Sequence, residues 1–113
     1  VPDGDILIVA GDISKRGTLH EISAFNEFLG SLPHPHKILI AGNHDFSFEI
    51  SPDKARALIT NATYLQDEFL EVLGLKIYGS PWTPRFYDWA FQLENANQAR
   101  NVWSNVPKET DIL

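Results

Sequence analysis

Two short stretches put metal-ligand side chains directly after oily runs. Gly11-Asp12 follows Ile6-Leu7-Ile8-Val9-Ala10, and Gly42-Asn43-His44-Asp45 follows Ile38-Leu39-Ile40-Ala41. Carboxylate, amide oxygen and imidazole are hard or borderline ligands, suited to Mg, Mn, Fe or Zn. Glycine ahead of each group lets the backbone turn sharply and an ion approach closely. Each residue taken singly has a plainer reading: Asp12 and Asn43 as turn residues, His44 as a loop histidine bonded to Asp45. The combination favours a reaction centre. Two apolar strands ending on one sheet edge, one of them in Asn-His-Asp, fit the rule that α/β sheets bind ligands at the carboxyl ends of their strands.

The elements that must position these groups are legible in the pattern. The continuous apolar runs at 6–10 and 37–41 predict strands buried on both faces, as in a parallel sheet. Between them Thr18-Leu19-His20-Glu21 forms a capping box, and Leu19, Ile22, Phe25, Phe28, Leu29 and Leu32 recur at helical steps. The expectation is a helix over 18–32, stopped near Gly30 and by Pro33. Strand, helix, strand with short joints makes a right-handed βαβ unit with two parallel strands. Ser51-Pro52-Asp53 should open a second helix running to about Ile59. Thr63-Tyr64-Leu65 reads as a short strand, and 69–72 and 75–78 as a hairpin about Leu73-Gly74. Residues 79–84 should be loop. A last helix is expected from Asn95 to about Asn105, with Ala99, Val102 and Trp103 inward.

Composition narrows the chemistry. The 113 residues carry a formal net charge of −6 and no cysteine, so thiolate sites and disulfides are excluded. A broad nucleic-acid surface is not expected, although a small phosphate-bearing substrate could be held through cations. No membrane segment or signal peptide is visible, and a cytoplasmic location is expected. Asn61-Ala62-Thr63 has the form of a glycosylation sequon, but its use is not expected without secretion. The start at Val1-Pro2-Asp3 and the end at Thr110-Asp111-Ile112-Leu113, which reads as the opening of a strand, suggest a piece of a larger protein. Residues 1–113 are thus expected to be part of one domain truncated at both ends, of unknown oligomeric state.

The strand ending in Gly11-Asp12 and the motif Gly42-Asn43-His44-Asp45 resemble the calcineurin-like metallophosphoesterases. Phe25-Asn26-Glu27-Phe28-Leu29-Gly30-Ser31-Leu32-Pro33 and Tyr78-Gly79-Ser80-Pro81-Trp82 are similar to the branch of metallophosphoesterase domain-containing proteins related to cyclic nucleotide phosphodiesterases. The resemblance covers essentially the whole chain. It implies an α/β fold, an αββα sandwich of which this chain would supply the βαβ unit and the strands and helices after it. It also implies two divalent cations (Mn, Fe, Zn or Mg) and in-line hydrolysis of a phosphodiester in a nucleotide-like substrate. Asp12 would bridge the cations and Asn43 would bind one of them. His44 would face the phosphoryl group and help protonate the leaving oxygen, with Asp45 orienting its ring and keeping it charged.

The chain departs from that pattern. The family's Asp-x-His motif before Asp12 and its later His and Gly-His-x-His motifs are absent. His20 lies in the first helix, while His34 and His36 precede the second strand at the wrong edge and are expected on the surface. Two ligands hold a cation poorly, so the isolated residues should show no more than trace activity. A non-catalytic nucleotide-binding module with the same fold is the alternative, and a purely structural fragment a third. Ser80-Pro81-Trp82-Thr83-Pro84-Arg85 supplies a further candidate: Trp82 to stack on a base and Arg85 to hold a phosphate, unless the loop is simply packed into the core.

Overall fold

In the computed structural model, residues 1–84 and 88–113 are described. The runs that predicted strands form them: β1 (Ile6–Ala10) and β2 (His36–Ile40) pair in parallel, with Ile6 opposite His36 and Ala10 opposite Ile40. α1 (Leu19–Gly30) connects them. Its capping box is formed, since the Thr18 hydroxyl accepts the Glu21 N–H while the Glu21 carboxylate accepts the Thr18 N–H. The short β3 (Thr63–Tyr64) adds in parallel to the far side of β2. The sheet order β1-β2-β3 puts the Asn43 strand in the middle and the Asp12 strand beside it.

Alternation along β2 sorts the core into two layers. Leu39 and Ala41 point to one face, where they pack with Ile22 of α1, Phe48 of α2 (Phe46–Ile50), Ala55 of α3 (Pro52–Leu58) and Tyr64. Ile38 and Ile40 point to the other, against Val72 of β4 (Glu68–Val72) and Ile77 of β5 (Leu75–Gly79). Those two strands are the expected antiparallel hairpin, turning at Leu73 and Gly74, both at positive φ (51° and 79°). Helices, parallel sheet and antiparallel hairpin thus stack as layers of a partial α/β sandwich. Near the end of the chain Ile112 makes an isolated parallel bridge to Ile77.

Several expectations are corrected. β1 is not buried on both faces. It pairs with β2 alone among the described residues, and Ile8 is 44% exposed. Thr83–Pro84 is not loop but β6, paired in parallel with β7 (Gln92–Leu93). α4 (Ala96–Ser104) forms behind its Asn95 cap, yet it buries no residue fully and Trp103 is exposed. His34 is buried, its Nε2 donating to the Pro2 carbonyl at 2.9 Å, because residues 2–4 fold back over it. No described helix is long and apolar enough to cross a membrane.

Candidate metal and phosphate site

Gly11 and Gly42 bring the two strand ends together. A Cβ on Gly11 would lie 2.8 Å from the Gly42 Cα, and the Gly11 φ of +96° is one that side chains disfavour. Asp12 follows, itself left-handed at φ 53°. Its carboxylate turns towards the β2 loop, where Oδ1 accepts the His44 N–H at 3.1 Å. The Asn43 carboxamide sits against the same carboxylate. With its NH2 towards Asp12 it donates at 2.9 and 3.2 Å to the two oxygens. With its oxygen there, three oxygens would converge on one spot, an arrangement that a cation stabilises. The donor set therefore suits a hard divalent ion. Among the described residues no third His, Cys, Asp or Glu joins a metal-binding cluster.

His44 is oriented by the chain, though not by its neighbour. Its Nδ1 lies 3.2 Å from the Lys15 carbonyl, an acceptor only, so Nδ1 carries the proton and donates. Nε2 is left as the nitrogen that can meet a ligand. The ring rests against Trp89, centroids 5.3 Å apart and tilted 36°. The next residue, Ala90, donates its N–H to the Asn43 carbonyl at 2.9 Å, which brings this part of the chain against the β2 loop.

The expected pairing of Asp45 with the His44 ring is corrected. Asp45 has zero exposure and turns inward. Oδ1 accepts from the Ser14 N–H (3.0 Å) and the Ser14 hydroxyl (2.5 Å). Oδ2 accepts from the Gly42 N–H (2.7 Å) and the Ile13 N–H (3.3 Å). Four donors occupy the capacity of the two oxygens, and none is the imidazole. Full burial of a carboxylate is tolerable only with such complete pairing.

The loop carrying Lys15 is itself fastened. Glu21 accepts from the N–H groups of Lys15 (2.7 Å), Arg16 (3.2 Å) and Thr18 (3.3 Å). The Lys15 hydrogen bond is the main reason the Glu21 carboxyl is held below its ordinary value, desolvation opposing it as the next-largest effect. At the other end Ser47 of α2 gives its N–H to the Gly17 carbonyl at 3.1 Å, pinning the helix behind the site.

Trp82 has the packing role. Its indole N–H donates to Asp67 at 2.8 Å, and its ring meets Phe91 edge-on with centroids 5.6 Å apart. Among the described residues Trp89 is the aromatic ring against His44, and its sequence signal was only its membership of the same aromatic loop. Arg85 lies outside the described residues. His36, the first residue of β2, sits at the amino end of the sheet, opposite Asn43.

The parallel βαβ unit thus brings Asp12 and Asn43-His44 to one sheet edge across a glycine contact. The calcineurin-like phosphoesterase family model matches residues 1–112, and the chain belongs to that family. Over 136 aligned positions it is 39% identical to the human metallophosphoesterase domain-containing protein 1, and equally to the mouse protein of that name. It is 38% identical over 128 positions to a UPF0046 protein of Caenorhabditis elegans. The whole chain aligns in each case but spans only 42% of the mammalian proteins and 45% of the nematode one.

Proposed function

We propose that this chain supplies one part of the active site of a metal-dependent phosphodiesterase acting on a nucleotide-like substrate. The observation that carries the reading is the convergence of the Asp12 carboxylate and the Asn43 carboxamide, with the free Nε2 of His44 one residue on. Asp12 and Asn43 would hold divalent cations (Mn, Fe, Zn or Mg), with Asp12 bridging two of them. Bound there, the cations would neutralise phosphate charge and make a water more acidic. His44 binds the phosphoryl group. Protonated at Nε2, it donates to a non-bridging oxygen and then passes that proton to the leaving alkoxide as the P–O bond breaks. The Lys15 carbonyl keeps the ring turned for that task. Family membership supports phosphoester chemistry, and Trp89 beside His44 offers a flat face for a base or other planar group.

The test is metal content and hydrolysis of an aryl phosphodiester by the natural full-length protein, with Asp12→Ala as comparison. Bound metal and turnover that both depend on Asp12 support the reading. Metal-free protein that still binds nucleotide would replace it with the non-catalytic module.

A further inference from the structure

We infer that Asp45 and Ser14 are positioning residues that set the spacing of Asp12 and Asn43, and through it the affinity of the site for its cation. The inference rests on the metal reading above. It comes from where the Asp45 oxygens go. Oδ2 accepts the N–H of Ile13, the residue after Asp12, and the N–H of Gly42, the residue before Asn43. One buried oxygen thus fastens the backbone beside each candidate ligand. Oδ1 takes the Ser14 N–H and hydroxyl, which closes the β1 loop against the β2 loop. The Ser14 hydroxyl has a single proton, and its 2.5 Å approach to Asp45, against 3.5 Å to the His44 carbonyl, shows where it is spent.

The two loops also meet through the His44 N–H on Asp12, the His44 ring on the Lys15 carbonyl and Ser47 on Gly17, but Asp45 is what takes the backbone N–H beside each candidate ligand. The strands are paired only as far as Ala10 and Ile40, and the glycine contact of Gly11 with Gly42 has no side chain to lock it. Without the carboxylate, the backbone beside Asp12 and the backbone beside Asn43 lose their shared anchor. Groups that hold metal ligands in place typically change metal affinity by about 10–100-fold when removed. The site pays for a pre-set geometry with a buried charge, and the hydrogen bonds to it are complete.

The experiment titrates Mn²⁺ into the full-length protein by calorimetry for wild type, Ser14→Ala, Asp45→Asn and Asp12→Ala, with melting in chelator as a separate record. Ser14→Ala removes only a hydroxyl and keeps a foldable protein should Asp45→Asn not fold. The expected result is a Mn²⁺ dissociation constant raised about 10-fold in Ser14→Ala and further in Asp45→Asn. The pH profile of turnover at saturating Mn²⁺ should keep its wild-type shape. An unchanged dissociation constant with a lowered melting temperature overturns the inference, because the staple is then only structural. A shifted pH profile at unchanged Mn²⁺ affinity also overturns it, and returns Asp45 to His44. If Asp12→Ala itself still binds Mn²⁺ like wild type, the metal reading fails and this inference with it.

Discussion

The Nδ1 of His44 lies 3.2 Å from the carbonyl oxygen of Lys15, and this main-chain contact, not the adjacent carboxylate, fixes the ring. A carbonyl sets the tautomer without supplying a negative charge, so His44 is aimed rather than charged by its partner. Its backbone N–H is bonded to the Asp12 carboxylate, which ties the residue to the Asp12–Asn43 pair.

Asp12→Ala and His44→Ala should therefore fail differently in the full-length protein. Loss of Asp12 should lower bound metal and turnover together. Loss of His44 should leave metal in place and slow turnover by roughly 10²–10⁴-fold, the usual span for a general acid. Metal stoichiometry measured beside turnover decides it. Should His44→Ala empty the site as thoroughly as Asp12→Ala, His44 is a ligand and its assigned role is wrong.

Gly42→Ala should damage both stability and the site. A Cβ there would come within 2.9 Å of the Asp12 Cγ and closer still to the Asp12 amide, so the backbone of one loop must give way. Overpacking of this kind costs about 1–3 kcal/mol. The displaced group is the proposed ligand Asp12, so Mn²⁺ affinity should fall as well. Unchanged affinity in a protein of lowered melting temperature would show that the Asp12 carboxylate relaxes independently of its backbone.

What the sequence disclosed was what is encoded locally. β1, α1 and β2 announce themselves by apolar runs, by period and by the Thr18–Glu21 box, and each signal lies within a few residues of its effect. The site pair followed, because a βαβ unit brings Asp12 and Asn43 to one edge whatever else the chain does. The role of Asp45 was hidden by distance. Its partners Ile13 and Ser14 lie 32 and 31 residues away, while His44 stands beside it in sequence and invites the wrong pairing. α2 was missed for a like reason: Phe46-Ser47-Phe48-Glu49-Ile50 has no cap of its own and is held by Gly17. Which tryptophan meets His44 depended on long-range contacts such as the Ala90 N–H to the Asn43 carbonyl, invisible in composition. The exposure of β1 was unreadable because a strand does not encode how many neighbours it has.

Acid should loosen the loop that carries Lys15. The folded-state value of Glu21 is depressed, so its contribution is present above the ordinary carboxyl value of 4.5 and is lost as pH falls through the lowered one. Comparing the melting temperatures of wild type and Glu21→Gln across that range checks the sign. Wild type should be the more stable at pH 7, and the gap should close only in acid below about 4.5. A gap that is constant down to pH 3 would mean that the carboxylate charge contributes nothing.

Asn26 makes a prediction about the scaffold alone. It is 8% exposed on α1, and its Oδ1 accepts the N–H groups of Thr60 (3.0 Å) and Asn61 (2.9 Å). Its Nδ2 donates to the Thr60 hydroxyl at 2.9 Å, and its own carbonyl accepts the Asn61 amide at 3.0 Å. The helix is thereby tied to the chain that leads into β3, and the sequon nitrogen of Asn61 is already engaged. Asn26→Leu keeps the volume but strands the two N–H donors, at about 1–3 kcal/mol each where water cannot replace the oxygen. Thr60 and Asn61 are exposed, so water offsets part of this and the expected loss is roughly 1–3 kcal/mol in total. Asn26→Asp should cost less, since an oxygen still meets both N–H groups and the Thr60 hydroxyl can rotate to donate. Chemical denaturation of the two variants at pH 7 gives the comparison. Equal losses would show that side-chain volume, and not the acceptor, is what α1 supplies at this position.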